Sequence, residues 1–333
     1  MQPLAKEKTT VSLDVLYRLI QEDMKHVDAT ILSRIREKAP LIYEVAHHLI
    51  ASGGKRIRPA VTLISALACE YKGGQHISLA AAVELLHTAT LLHDDVVDES
   101  GLRRGLATAN ATFGNKASIL VGDFLLSQAF QLMATSDTLD ALKLLADASA
   151  VISQGEVLQL ANQGNTAVSE ADYLAVLAAK TAALFSCASE LGAVIAGRPE
   201  LRAPLAEYGT AIGMAFQLVD DALDYSADQK TLGKTVGDDF REGKITLPVL
   251  IAYEAANDEE KAFWRRTMEE GNQQPDDLAQ ATLYLHRHRA LAKTIERAQE
   301  QAARAKEVLA PLAASPAKNA MFDLADFCIA RAY

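Results

Sequence analysis

The chain has 333 residues, about half of them apolar, and a formal net charge of −10. That length fits one large domain or two ordinary ones, and the acidic balance excludes a nucleic-acid groove while favouring partners that are cations or small anions carried with cations. The three cysteines, Cys69, Cys187 and Cys328, are scattered and odd in number, which reads as reduced buried thiols of a cytoplasmic protein and not as a disulfide framework or a zinc site.

The first ten residues carry Lys6, Glu7 and Lys8 and no apolar core, so they do not read as a secretory signal. Beyond them apolar residues recur at three- and four-residue intervals almost throughout, and strand-like alternation is scarce. Breaks are expected at Gly53-Gly54, Gly73-Gly74, Gly101 to Gly105, Gly164-Asn165, Gly197-Arg198-Pro199, Gly233 to Gly243 and Gly271 to Pro275. The intervening stretches predict helices over 79–98, 119–135, 141–162, 170–196 and 205–225. The fourth is opened by a capping box at Ser169-Glu170-Ala171-Asp172. It also holds the most apolar long run, Leu174 to Ala196, but Lys180 and Glu190 interrupt that run, so it reads as a core helix and not as a transmembrane segment. Several helices are apolar on most faces, as inner helices of a large all-α bundle are. Residues 257–304 are more charged and read as peripheral.

The chemistry concentrates where two of these helices end. The first predicted helix closes on His93-Asp94-Asp95-Val96-Val97-Asp98, followed by Arg103-Arg104-Gly105. Burying unpaired carboxylates at the end of an apolar helix is costly, and a divalent cation reconciles the two. Asp94 and Asp98 are spaced i, i+4 and share a helix face. Two carboxylates so placed suit Mg²⁺, which fills its other positions with water and phosphate oxygens. The arginines supply planar forks that fit phosphate. His87 lies seven residues before Asp94, two helical turns away on the same stripe, so it points towards the same space. His93 is off that stripe and reads as structural.

The fifth predicted helix repeats the pattern at Asp220-Asp221-Ala222-Leu223-Asp224. One such cluster is compatible with a solvated helix end; two, each closing an apolar helix, are hard to explain that way. If the two ends face each other, their aspartates flank one cavity and hold Mg²⁺ around a pyrophosphate. Lys55 and Arg58 in Gly53-Gly54-Lys55-Arg56-Ile57-Arg58-Pro59, and Lys234 and Lys244 in the glycine-punctuated segment after the second cluster, are ordinary surface charges when taken singly. As a set they look like anion ligands. Lys180-Thr181 and Gln217 are polar groups in apolar surroundings, suited to a leaving phosphate or a developing cation. No Ser/His/Asp set, cysteine nucleophile or dinucleotide fingerprint competes, and Gly53-Gly54-Lys55 lacks the spacing of a Walker loop.

Together these residues resemble the trans-isoprenyl diphosphate synthases, over roughly residues 40–250 in order. The stretch His87 to Gly105, continuing through Ala109-Asn110, Phe113-Gly114-Asn115 and Val121-Gly122-Asp123, is most similar to bacterial long-chain synthases of the octaprenyl, solanesyl and decaprenyl type, which make quinone side chains such as that of ubiquinone. The resemblance implies one all-α domain over residues 1–333, a large helical bundle around a deep central cavity, with peripheral helices over 251–333, working as a cytoplasmic homodimer. It implies that Lys55, Arg58, His87 and Arg104 bind isopentenyl diphosphate. Arg103, Lys180, Thr181, Gln217, Lys234 and Lys244 would hold the allylic diphosphate. Asp94, Asp98 and Asp220 would be Mg²⁺ ligands, with Asp224 a further candidate and Asp95 and Asp221 standing behind them. Asp94, Asp98, Arg103, Lys180, Gln217 and Asp220 would then carry the catalysis.

Chain length is a finer expectation. The growing hydrocarbon extends back along the first acidic helix, and Ala89 sits five residues before Asp94, about 7.5 Å along the axis. Short-chain members of the family resembled here often carry an aromatic block near there. Ala89 and Thr90 are small, which predicts a product well beyond C20, with Leu86 and then Leu125 and Met133 as candidates for a deeper floor. The alternatives are a geranylgeranyl or farnesyl diphosphate synthase, and a non-catalytic subunit of a heteromeric synthase. A terpene cyclase shares the first aspartate motif but has no use for Lys55 and Arg58.

Overall fold

The computed structural model describes residues 12–36, 39–51, 53–103, 105–226 and 236–331. The helices are α1 Asp14–Leu19, α2 Gln21–Arg36, α3 Pro40–Ala51, α4 Ile57–Ala68, α5 Gln75–Val97, α6 Ala109–Phe113, α7 Asn115–Met133, α8 Leu139–Asn162, α9 Glu170–Leu177, α10 Ala183–Ile195, α11 Pro199–Leu223, α12 Asp238–Arg241, α13 Leu247–Ala255, α14 Asp258–Trp264, α15 Asp277–Arg287, α16 Ala290–Val308 and α17 Pro316–Ala330. Among the described residues the only sheet is a two-stranded antiparallel ribbon, Leu102–Arg103 against Leu106–Ala107.

The centre of the bundle is α5. Every residue from Leu79 to Leu86 is buried, so this helix is wrapped on all sides, by α2, α4, α7 and α10 among others. Each fully buried leucine in such a core contributes about 1.5–3 kcal/mol through removal of apolar surface from water. A second inner helix, α10, packs between α4 and α11. The approach to α11 is close enough that a Cβ on Gly209 would lie 2.2 Å from the Phe185 carbonyl oxygen. The three cysteines are free and buried.

Three local outcomes bear on the site. Ser169 caps α9 as a reciprocal capping box with Asp172. The helix expected over 170–196 is two helices joined by a π-helical turn, Ala178–Ala182. A single extra residue in the turn leaves no mark on composition or apolar spacing, so the sequence reads as unbroken. This run is long and apolar enough to cross a membrane by length and composition, but half of its most apolar window is buried within the bundle. Third, the last helix is not peripheral. Met321, Leu324, Ala325 and Cys328 of α17 belong to the main core, and Tyr208 on α11 donates a 2.8 Å hydrogen bond to the Met321 carbonyl. The charged region between holds its own smaller core around Phe240, Trp264 and Tyr284. Beside it, Glu260 is buried and accepts from His288 at 2.7 Å and from Arg287.

Candidate active site

The acidic ends of α5 and α11 face one cavity of about 1210 Å³. The wall supplied by α5 is the stripe Glu84, His87, Thr88, Leu91, Asp94 and Asp98, the repeat of three and four that one helix face requires. The chain then reverses sharply. Glu99 takes a positive φ, Ser100 N donates to the Asp95 carbonyl at 3.0 Å, and the two-stranded ribbon returns Arg103 over the helix end. Arg103 Nε and Nη2 lie 2.8 and 2.7 Å from Asp95 Oδ1. Asp95 is fully buried and does not line the cavity; it holds Arg103 at the rim.

Asp94, Asp98 and Asp220 are each met by a cation from a distant element. Lys180 in the π-helical turn lies 3.9 Å from Asp94 and donates a 2.6 Å bond to Glu156 of α8. Burial pushes the Asp94 carboxyl up, and Asp98 adds to this against the pull of Lys180. Burial and Asp94 do the same to Glu156. Lys244 bonds Asp98 at 2.9 Å and Glu242 at 2.6 Å. Burial opposes its charge, but Asp98, Glu242 and Asp239 hold its ammonium well above the usual lysine range.

On the opposite wall Asp220 pairs with Arg331 at 2.7 Å. Asp221 is buried, accepting from Tyr173 Oη and from Gln217 Nε2 at 2.8 Å. Burial and then Asp239 push its carboxyl up to about 7. Thr181 donates to Gln217 Oε1 at 3.3 Å, which links the π-helical turn to α11. Asp224 is turned away. It does not line the cavity, and its carboxylate accepts from Asp239 N at 3.1 Å.

The third wall is the segment before α4. Arg58 Nη1 lies 3.0 Å from His87 Nε2 and its guanidinium sits 4.4 Å from the Phe185 ring centroid. The Lys55 ammonium lies 4.3 Å from the Phe327 ring; burial and the charge of Arg331 lower its pKa. Arg56, in a left-handed conformation, pairs with Glu84.

So the cavity gathers Lys55, Arg58, His87, Asp94, Asp98, Arg103, Lys180, Thr181, Gln217, Asp220, Asp221 and Lys244. Arg104 and Lys234 lie outside the described residues. Ala89, Leu86, Leu125 and Met133 are buried in the main core and do not line the cavity. Glu84, Glu156, Tyr173, Asp239 and Arg331 line it without having been singled out from the sequence. Of these, Glu84, a single charge within the apolar run Leu79 to Leu86, and Glu156, a charge among the apolar positions of its helix, carried a local signal.

A donor set of paired carboxylates suits a hard divalent cation. Among the described residues no three acidic, histidine or cysteine side chains converge on one point. That fits Mg²⁺, which takes one or two protein carboxylates and leaves its remaining positions to water and phosphate.

An all-α bundle with two acid-tipped helices across one cation-rimmed cavity defines an isoprenoid diphosphate synthase. The polyprenyl synthetase family matches residues 39–285. An octaprenyl diphosphate synthase of Haemophilus influenzae is 42% identical over 98% of this chain and 100% of its own length. A decaprenyl diphosphate synthase structure from Rhodobacter capsulatus superposes with a TM-score of 0.93 at 48% identity, covering 97% of this chain and 100% of that one. A polyprenyl synthase from Caulobacter crescentus, solved with calcium and isoprenyl diphosphate, gives 0.93 at 45% identity over 96% and 98% of the two chains. The chain belongs to the polyprenyl synthetase family and is a prenyltransferase.

Proposed function

We propose that this enzyme is a long-chain all-trans polyprenyl diphosphate synthase that adds isopentenyl diphosphate repeatedly to an allylic diphosphate. The observation that carries the reading is the meeting of two aspartate clusters across one cavity, with lysines and arginines between them. Lys55, Arg58, His87 and Arg104 bind isopentenyl diphosphate. Arg103, Lys180, Thr181, Gln217, Lys234 and Lys244 hold the allylic diphosphate, and Asp94, Asp98 and Asp220 hold Mg²⁺. Bound Mg²⁺ would neutralise the pyrophosphate and ease its departure. Lys180 and Lys244, already hydrogen-bonded to acids of the site, are positioned to donate to oxygens of the departing group as its charge grows. The allylic C–O bond breaks, the isopentenyl double bond attacks the resulting carbocation, and a proton leaves to the released pyrophosphate. Leu91, Ile152, Leu184 and Phe185 on the cavity wall exclude water from the cation.

Asp95 supports the site indirectly by orienting Arg103, and Asp221 by orienting Gln217. The wall runs back along α5 through Leu91, Thr88, His87 and Glu84, with Ala89 and Leu86 buried in the core behind it, so a tail longer than the cavity has to open the packing around Ala89 and Leu86. We further propose a cytoplasmic homodimer serving quinone side chains. Two consecutive helices expose apolar residues suited to pairing with a second copy: Leu120 is 67% exposed on α7, and Leu139 and Val157 are 81% and 68% exposed on or near the two ends of α8. Sedimentation at assay concentration should give twice the chain mass. The test of function is incubation with Mg²⁺, farnesyl diphosphate and labelled isopentenyl diphosphate. All-trans products beyond C20 are expected, and failure to incorporate label into lipid would overturn the reading.

A further inference from the structure

The turn after α17 carries Arg331 across the cavity mouth. Its Nη2 lies 2.7 Å from Asp220 Oδ1, and its guanidinium sits 4.4 Å from the Phe216 ring centroid. Its Nη1 is buried and has no hydrogen-bond partner among the described residues. One turn earlier, Phe327 of the same helix packs under the Lys55 ammonium. The end of α17 therefore touches both halves of the site: the second aspartate cluster and the lysine assigned to isopentenyl diphosphate. Burial and then the charge of Arg331 lower the Lys55 pKa.

We infer that Arg331 is an exchangeable counter-ion: it neutralises Asp220 while no metal is bound, and when Mg²⁺ takes that carboxylate the guanidinium turns to the second diphosphate beside Lys55 and Arg58. This rests on the metal and substrate assignments proposed above. Asp220 is partly buried, so it needs a neutralising partner in either state. Guanidinium and metal compete for the same carboxylate oxygens. A guanidinium has five donors in a rigid fork, and those on the buried Nη1 of Arg331, without a partner among the described residues, can take an anion's oxygen. Two cations left facing each other at the mouth are stable only with an anion between them.

The test is Mn²⁺ binding followed by electron paramagnetic resonance, with inorganic pyrophosphate as the companion anion, on the wild type, Arg331→Gln, Arg331→Lys and Asp220→Asn. Steady-state kinetics on the same proteins accompany it. Arg331→Gln should bind Mn²⁺ about fivefold tighter, since a competing partly buried ion pair is gone. Its KM for isopentenyl diphosphate should rise about tenfold, the loss of one charge-assisted phosphate contact. Arg331→Lys, which keeps the charge, should fall between the two. Opposite movements of metal and substrate affinity are the signature. If both weaken together with the melting temperature, Arg331 only fastens α17 and the inference fails. Unchanged Mn²⁺ affinity in Arg331→Gln overturns it as well. If Asp220→Asn binds Mn²⁺ like the wild type, the metal assignment itself is wrong, and the inference goes with it.

Discussion

Gly155→Ala should damage catalysis by way of one methyl group. Gly155 on α8 lies against the π-helical turn, and a Cβ there would meet Lys180 N at 2.8 Å, Ala179 Cβ at 2.9 Å and the Ala179 carbonyl carbon at 3.1 Å. Two of these are backbone atoms and cannot rotate aside. Ordinary contact begins at 3.4 Å, so α8 and the turn must part by about 0.6 Å. Overpacking of this kind costs about 1–3 kcal/mol, or several degrees in melting temperature at ~2–4 °C per kcal/mol for a chain of this size. The displaced turn carries Lys180, whose ammonium is set 3.9 Å from Asp94 and 2.6 Å from Glu156. Glu156 moves with α8, so the pair is strained from both sides. A misplacement near 1 Å costs a reaction about a hundredfold, and a shift of this size should lower kcat about tenfold. Lys55 and Arg58 are carried by the segment leading into α4 and by α4 itself, not by the turn, so KM for isopentenyl diphosphate should stay within about twofold. The assay is initial rates at saturating substrates alongside thermal melts by circular dichroism. A folded Gly155→Ala protein with wild-type kcat would refute the claim that the π-helical turn sets Lys180.

Three further outcomes are expected. Asp94→Ala should reduce kcat at least about a hundredfold through loss of a metal ligand and release of Lys180, measured by label incorporation; near-wild-type turnover would remove Asp94 from the metal set. Ala89→Phe should shorten the product by filling core space behind the Thr88 and Leu91 wall that the growing tail has to open, and unchanged product chromatography would move the tail elsewhere. Glu260→Gln should lower stability by about 2 kcal/mol at pH 7, by loss of charge-assisted hydrogen bonds from Arg287 and His288. Burial acts against the Glu260 charge, but those two partners hold its carboxyl below the usual range. A depressed folded pKa stabilises above the unfolded value of about 4.3 and is lost as pH falls below it. The gap between wild type and Glu260→Gln in urea midpoint should therefore close towards pH 3, and a gap independent of pH would refute the charge argument.

What could be read without coordinates was whatever depends on residues close in sequence. Asp94 and Asp98 share a face because helix geometry alone puts them there, and the same holds for His87 two turns back. The capping box at Ser169 is equally local. The π-helical turn escaped because one inserted residue alters neither composition nor apolar spacing, yet it decides where Lys180 and Thr181 stand. Asp224 repeats the spacing of Asp98, but the chain following it differs. Asp98 meets Lys244, whereas the Asp224 carboxylate is taken up by the Asp239 amide at the start of a short helix. Identical spacing therefore gives different surroundings.

The neutralising partners show the same division more sharply. Asp94 is met from the π-helical turn, Asp98 from the segment before α13, and Asp220 from beyond α17. Each acid belongs to a local pattern, and each partner arrives only when the chain has folded around the cavity. Carboxylates gathered on two helix ends repel one another, and burial raises the cost of their charge. Lysines and arginines from separate elements offset that cost before any substrate is present. A site built to receive two diphosphates thus sets Asp94, Asp98 and Asp220 each against a cation that anionic substrates can later claim. Where those cations stand is a property of the tertiary fold, and it is the part of the site that spacing rules do not reach.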